Sequence, residues 1–231
     1  MSAKQSPPHY DYVADFLSPV ESDSLFSHLK SLHGYILETG ACNLLPTHST
    51  VMYGPRQAYM DCVPKPYRAV SSGEAPDFLA GLKQRIEEKY LCCFNSLQIN
   101  QHYDHNSNVH SHMDANPGHI CMISVGAVRE FVLKEARTFK VLARLPLENG
   151  SLLTFFPKDQ WRMRHEMLKS VTPCGVRFSV IFRYIPEITA KTMLQNITGS
   201  KEKQRVRAER DAEYEAAQQA WRDRRKTVIK P

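Results

Sequence analysis

His112, Asp114 and His165 are the residues of this chain best suited to hold a metal. Two neutral imidazoles and one carboxylate form the ligand set that occupies one face of a ferrous ion, leaving the opposite positions open for a co-substrate and dioxygen. Arg177 and Arg183 follow twelve and eighteen residues after His165, and a guanidinium is a planar, two-pronged cation suited to gripping a dicarboxylate. Together these residues imply oxidation by dioxygen at Fe(II), with 2-oxoglutarate as co-substrate. Two His and one Asp also serve zinc hydrolases, but that chemistry leaves the paired arginines unexplained.

The spacing has a geometric rationale. Side chains on a strand share a face every second residue, so His110, His112 and Asp114 point the same way along the extended segment 107–116. Only two of them are needed, and His112 with Asp114 is the pair that falls into register with the downstream motifs. His165 follows the apolar run Gly150-Ser-Leu-Leu-Thr-Phe-Phe-Pro157, a strand signal bounded by Gly and Pro. In the segment Val176 to Arg183, Arg177, Ser179, Ile181 and Arg183 face one way while Phe178, Val180 and Phe182 face the other. Two arginines on one face of a buried strand are costly without anions, which a dicarboxylate supplies. His9, His28, His33, His48 and His119 read as surface or satisfied polar residues, and His105 and His110 lie beside the site without an assigned role.

Several longer runs share one resemblance. Phe94-Asn-Ser-Leu-Gln-Ile-Asn-Gln-His-Tyr103 leads into His112-Met-Asp114; Ile123 to Leu133, Arg144 to Leu153, His165 and Arg177 to Arg183 follow in order. This succession resembles the AlkB family of nucleic-acid dealkylating dioxygenases, and most of all its branch that repairs alkylated bases in DNA and RNA. Val13 to Phe26 is similar to the opening of that family, and Tyr53-Gly-Pro-Arg-Gln-Ala-Tyr59 resembles its substrate-side segment. The likeness spans roughly residues 10 to 186. It implies that His112, Asp114 and His165 bind iron, and that Asn100, Arg177 and Arg183 contact 2-oxoglutarate.

Three departures from the family pattern matter. The family's tyrosine two residues after the asparagine is His102 here, and a one-residue shift would let the adjacent Tyr103 take over the cofactor hydrogen bond. Ser179 stands where the family usually has asparagine; its shorter hydroxyl still reaches a carboxylate, directly or through water. After the metal motif the chain reads Asp114-Ala-Asn116-Pro117, where family members acting on adenine and cytosine ring nitrogens commonly carry a carboxylate. An amide both donates and accepts but carries no charge, so Asn116 points to a different set of accepted bases, for example a neutral base with a carbonyl edge. The competing reading is that Asn116 caps a turn before Pro117.

The elements that must position these residues follow from local signals. Ser18-Pro19-Val20-Glu21 is a capping box with Pro at the first helical position, opening an amphipathic helix to about residue 32. A second helix runs from about Glu74 to Tyr90, with Phe78, Leu79, Leu82 and Ile86 on one side. From residue 95 onward short alternating strands are separated by Gly, Pro and Asn. The expected fold is therefore α+β, a double-stranded β-helix or jelly-roll core with flanking N-terminal helices and a C-terminal charged helix. Three segments are expected: residues 1–72, an N-terminal helix and substrate lid; 73–190, the oxygenase core; and 191–231, a basic helical tail.

In the lid, residues 40 to 72 interleave Tyr53, Tyr59 and Tyr67 with Arg56 and Arg68, a mixture suited to base stacking and phosphate contact. Arg56, Tyr53 and Asn116 are the substrate-side candidates; the alternative is that the tyrosines pack the lid onto the barrel. The formal charge of the 231-residue chain is +6, of which residues 201 to 231 carry +4. That tail reads as helical but poorly anchored, either a solvated helix or an arm that tracks phosphates. A polar N-terminus and the lack of any long apolar run point to an intracellular protein, nuclear or cytoplasmic, with no membrane span. The six cysteines lack metal spacing and suit a reducing compartment. The expected partner is nucleic acid with modified bases, met as a monomer. Two rivals remain: an oxygenase acting on another nucleobase position or on a protein side chain, and a catalytically silent binding module.

Overall fold

The computed structural model describes residues 8–38, 48–55, 73–114, 118–157, 159–188 and 199–228. Among these residues two antiparallel sheets face each other. The larger has seven strands in the order β1-β9-β6-β11-β4-β3-β2: β1 (Tyr10–Val13), β9 (Ser151–Phe155), β6 (Ile120–Gly126), β11 (Arg177–Arg183), β4 (Ser96–His102), β3 (His48–Tyr53) and β2 (Ile36–Glu38). The smaller has four, β5 (Val109–His112), β10 (Met163–Met167), β7 (Arg129–Glu135) and β8 (Val141–Leu147), in that order. This is the expected double-stranded β-helix in an α+β setting.

Alternation splits the apolar residues into two layers. From β11, Phe178, Val180 and Phe182 join Cys121, Ile123 and Val125 of β6 and Leu97 and Ile99 of β4 in an outer layer. Helix α1 (Pro19–Ser31) covers it with Leu25 and Leu29, and Ile86 of α2 (Ala80–Tyr90) packs into the same layer. The opposite faces meet the smaller sheet through Ile120, Met122, Leu153, Phe155, Phe131, Leu133 and Met163. Each fully buried Leu or Phe contributes about 1.5–3 kcal/mol. Arg177, Ser179, Asn100 and His102 place polar side chains on the same inner face.

The capping box forms as its sequence requires: Ser18 Oγ accepts from the Glu21 amide at 3.3 Å, and the Glu21 carboxylate accepts from the Ser18 amide at 2.8 Å. The second helix begins with a 3₁₀ turn at Asp77–Leu79 and ends at Leu91, whose φ of 50° is left-handed. Two placements differ from the sequence reading. Residues 48–53, expected in a lid, form β3, paired with β4 from Ser49↔Gln101 to Tyr53↔Leu97; β1 likewise pairs along β9. The N-terminal segment thus supplies strands to the main sheet. The charged C-terminal helix, α3 (Ser200–Val228), is docked, burying Val206, Arg210, Tyr214 and Gln218 at a spacing of four. Among the described residues no helix is long and apolar enough to cross a membrane.

Candidate metal centre and co-substrate pocket

The strand pairing brings the two histidines together. In the antiparallel pair β5–β10, His165 lies directly opposite His112, and the ring centroids are 4.2 Å apart. Asp114 sits two residues past the end of β5. Its carboxylate oxygens are 3.8 Å from His112 Nε2 and 3.7 Å from His165 Nε2. One ligand atom from each of the three lies within 4.8 Å of the others, close enough to share one ion. His110, the other candidate on this run, is exposed and plays a different part: its carbonyl accepts from His112 Nδ1 at 2.8 Å. A carbonyl only accepts, so Nδ1 carries the proton and Nε2 keeps its lone pair for a metal.

The electrostatics suit a divalent cation. His165 is held between the rings of Phe131 and Phe155, at centroid distances of 5.4 and 5.2 Å. Burial above all, then the neighbouring His112, push its imidazole down to about 3, so it stays neutral and able to ligate. Burial alone would raise the Asp114 carboxyl, but Arg183 and the two imidazoles outweigh it and hold the group below its ordinary value. His165 therefore presents a neutral nitrogen and Asp114 an anionic oxygen.

A buried basic cluster adjoins it, with Arg183 acting on the Asp114 carboxylate. Arg177, Ser179 and Arg183 all face inward from β11 and are 1%, 2% and 5% exposed. Ser179 is flanked in register by Asn100 on β4 and Ser124 on β6. Asn100 Oδ1 accepts from Thr50 Oγ1 at 2.8 Å and from Gln98 Nε2 at 2.9 Å, so the amide nitrogen is the group it offers to an acceptor. Arg177 donates to Ser124 Oγ at 2.8 Å, and burial followed by Arg129 lowers its guanidinium to about 9. The Nε groups of Arg177 and Arg183 are buried with no partner among the described residues. Buried cations with unmet donors fit an incoming dianion. The donor set and this pocket thus fit Fe(II) and 2-oxoglutarate as cofactors.

Not every expected site residue joins the cluster. His102, not Tyr103, takes the inward position. It pairs with Arg177 across the β4–β11 ladder, is 1% exposed, and leaves Nδ1 buried without a partner among the described residues. Its ring centroid lies 5.1 Å from that of His48, so His48, read as surface or satisfied, stands beside the pocket. Tyr103, beyond the strand end, is 41% exposed. The period of two from Asn100 is the signal that selects His102. Tyr53 lies in the outer apolar layer with Phe94 and Leu97, on the face of β3 opposite Thr50, and is not brought to the metal. Arg56 and Asn116 lie outside the described residues, as do Tyr59, Tyr67 and Arg68.

Two further residues had no sequence signal. Arg129 is 2% exposed and donates to the carbonyls of Asp104 (2.8 Å), Ser107 (2.5 Å), Leu168 (2.6 Å) and His105 (3.4 Å). It ties the loop after β4 to the segment after β10, beside Arg177. Gln160 is 4% exposed and lines a cleft with Asp114, His165, Ile120, Phe155 and Met163.

No protein-family model and no curated protein matches the sequence. Solved structures do match the fold. One is described as the structure of OsALKBH1, with a TM-score of 0.59 at 12% identity, covering 78% of this chain and all of that one. Another is a prolyl hydroxylase from Trichoplax adhaerens, in complex with a hypoxia inducible factor oxygen degradation domain peptide fragment. It matches with a TM-score of 0.51 at 10% identity, over 75% of this chain and 83% of that one. At such identities the likeness is one of fold, and the chain has the double-stranded β-helix of these proteins with a His-Asp-His cluster in its mouth.

Proposed function

We propose that this chain is an Fe(II)- and 2-oxoglutarate-dependent dioxygenase that oxidatively demethylates alkylated bases in DNA or RNA. The observation that carries the oxygenase reading is the convergence of His112, Asp114 and His165 next to buried, under-partnered arginines. The nucleic-acid reading is supported by the AlkB-like motif order and by the fold shared with OsALKBH1. The enzyme would act as a monomer inside the cell, in nucleus or cytoplasm.

Loaded with iron and 2-oxoglutarate, such a centre couples dioxygen reduction to oxidation of an N-alkyl carbon, releasing succinate, carbon dioxide and an aldehyde. The chain's own contribution is placement. His110 fixes the tautomer of His112; the Phe131 and Phe155 rings fix the plane of His165; Arg183 keeps Asp114 ionised. Arg177, with His102 and Ser179, would take one carboxylate of the co-substrate, and Asn100 would donate its amide to another co-substrate oxygen. No side chain needs to act as acid or base in the C–H cleavage.

A second reading is hydroxylation of a protein side chain, favoured by the fold shared with the prolyl hydroxylase. The two are separated by supplying the reconstituted protein with methylated oligonucleotides or with peptides and measuring succinate. Stimulation by oligonucleotide with loss of the methyl mass supports demethylation; stimulation by peptide alone overturns it. A catalytically silent module would fail to bind Fe(II) in an anaerobic titration.

A further inference from the structure

We propose that His102 takes up a proton when 2-oxoglutarate binds, so that affinity for the co-substrate rises as pH falls. The proposal rests on the oxygenase reading above and concerns what an imidazole at this position adds to it. Four basic side chains from four strands meet here: His48 of β3, His102 of β4, Arg129 of β7 and Arg177 of β11. Arg177 lies opposite His102 in the β4–β11 register, and the His48 ring is centred 5.1 Å from the His102 ring, tilted by 39°. Arg129 is close enough to act on both His102 and Arg177. His102, Arg129 and Arg177 are each at most 2% exposed.

No acid balances these bases. Among the described residues the charged and titratable groups that act on His102 are Arg177, His48 and Arg129. The nearest carboxylate along the chain, Asp104, is turned to the amides of Asn106 and Ser107. Three nitrogens are left over: Nε of Arg129, Nε of Arg177 and Nδ1 of His102 are buried with no partner among the described residues. Burial first, then Arg177, His48 and Arg129, hold the His102 imidazole well below its ordinary 6.5, so it is neutral in the co-substrate-free chain. The guanidiniums are permanent cations. His102 is the titratable member that faces Arg177 and has a buried ring nitrogen unmet.

A dianion reverses the balance. One carboxylate charge at about 4 Å, in an effective dielectric of about 20, favours the protonated imidazole about a thousandfold. An imidazolium donates from both nitrogens, so the unmet Nδ1 gains a use. Proton and co-substrate then strengthen each other's binding by the same factor. The loaded chain holds the proton more tightly than the free one, so affinity climbs as pH falls between the two titration points and levels off outside them. Protonation of the metal ligands works in the opposite direction, because a protonated imidazole cannot ligate. The sign of the pH dependence therefore distinguishes the two effects.

The test is calorimetric titration of 2-oxoglutarate, without oxygen, into the full chain saturated with Mn(II). Repeating it at about pH 7 in PIPES and in Tris, whose ionisation enthalpies differ, gives the protons exchanged on binding. The wild type should take up about half a proton or more, and its Kd should tighten about fivefold or more from about pH 8 to about pH 6.5. His102→Gln should show no uptake and hold its Kd within about twofold over that range. His102→Tyr, whose hydroxyl donates without gaining charge at these pH values, should bind without uptake, and it carries the comparison if His102→Gln does not fold by circular dichroism. A wild-type Kd that stays flat or weakens as pH falls, or uptake retained in either folded variant, overturns the inference while the oxygenase reading stands. Failure of the Mn(II)-loaded wild type to bind 2-oxoglutarate overturns both.

Discussion

Replacing Arg177 by methionine should separate a cation kept for a ligand from one that the fold itself requires. Arg177 is 1% exposed, and among the described residues its guanidinium donates to Ser124 Oγ at 2.8 Å. Burial and Arg129 pull its guanidinium down to about 9. An arginine does not release its proton in a protein, so this displacement measures strain on the charged form, on the order of a few kcal/mol. The Ser124 bond returns about 1 kcal/mol of it. Methionine fills similar volume without a charge, so unfolding of metal- and co-substrate-free Arg177→Met by urea should show equal stability or a gain of up to about 2 kcal/mol. Binding should move the other way. Loss of a buried, charge-assisted contact to a carboxylate costs about 3 kcal/mol, roughly a hundredfold in Kd, read by anaerobic calorimetric titration of 2-oxoglutarate into the Mn(II) form. Arg129→Met is the control: it strips the donor from four carbonyls and should destabilise the protein by about 3 kcal/mol or more. Should Arg177→Met unfold as readily as Arg129→Met while binding 2-oxoglutarate like the wild type, the assignment of Arg177 to the co-substrate is wrong.

Three other expectations concern the metal, pH and α3. His165→Ala leaves a gap between Phe131 and Phe155, costing about 2 kcal/mol, but the fold should persist by circular dichroism while the thermal shift on adding Mn(II) disappears. Burial lowers His119 to about 4, and burial with His112 does the same for His48, from an ordinary 6.5. The unfolded chain therefore takes up these protons first, so stability is full above about pH 6.5 and drains away as pH falls toward 4; each contributes a loss of about 2 kcal/mol by about pH 5. Urea unfolding of the cofactor-free protein across that window should show the decline, and His119→Gln should make it visibly shallower. Tyr214→Ala, emptying a site that is 6% exposed, should cost about 3 kcal/mol and raise amide hydrogen exchange selectively along α3.

What was legible in the sequence depended on how local each cause was. The capping box at Ser18 and Glu21 closes within four residues, and the inward set Arg177, Ser179, Arg183 needs only a period of two. Both were readable without knowing any partner. The convergence of His112 and His165 was inferable from chemistry, but its geometry is a property of the β5–β10 ladder, which pairs residues 53 apart in sequence. His48–Tyr53 carries too short a pattern to announce a strand, and it becomes β3 because β4 offers it an edge. The period of two from Asn100 also places His102, and not Tyr103, on the inward face of β4.

The docking of α3 was hidden for a different reason. Its buried stripe is Val206, Arg210, Tyr214 and Gln218, and two of those four are polar, so no count of apolar residues distinguishes it from a solvated helix. What makes Arg210 and Gln218 compatible with burial is tertiary: the Trp161 ring under one, and the Cys93 backbone, at 2.9 Å from its amide nitrogen to Gln218 Oε1, for the other. The same logic covers Arg129 and Gln160, whose partners are backbone carbonyls brought near by the fold. Side chains that bind metal or a dianion must carry particular chemistry and so leave a signature in residue type and spacing. Residues that merely aim them can be of any type able to meet a local donor or acceptor, and only the assembled sheets reveal which ones do.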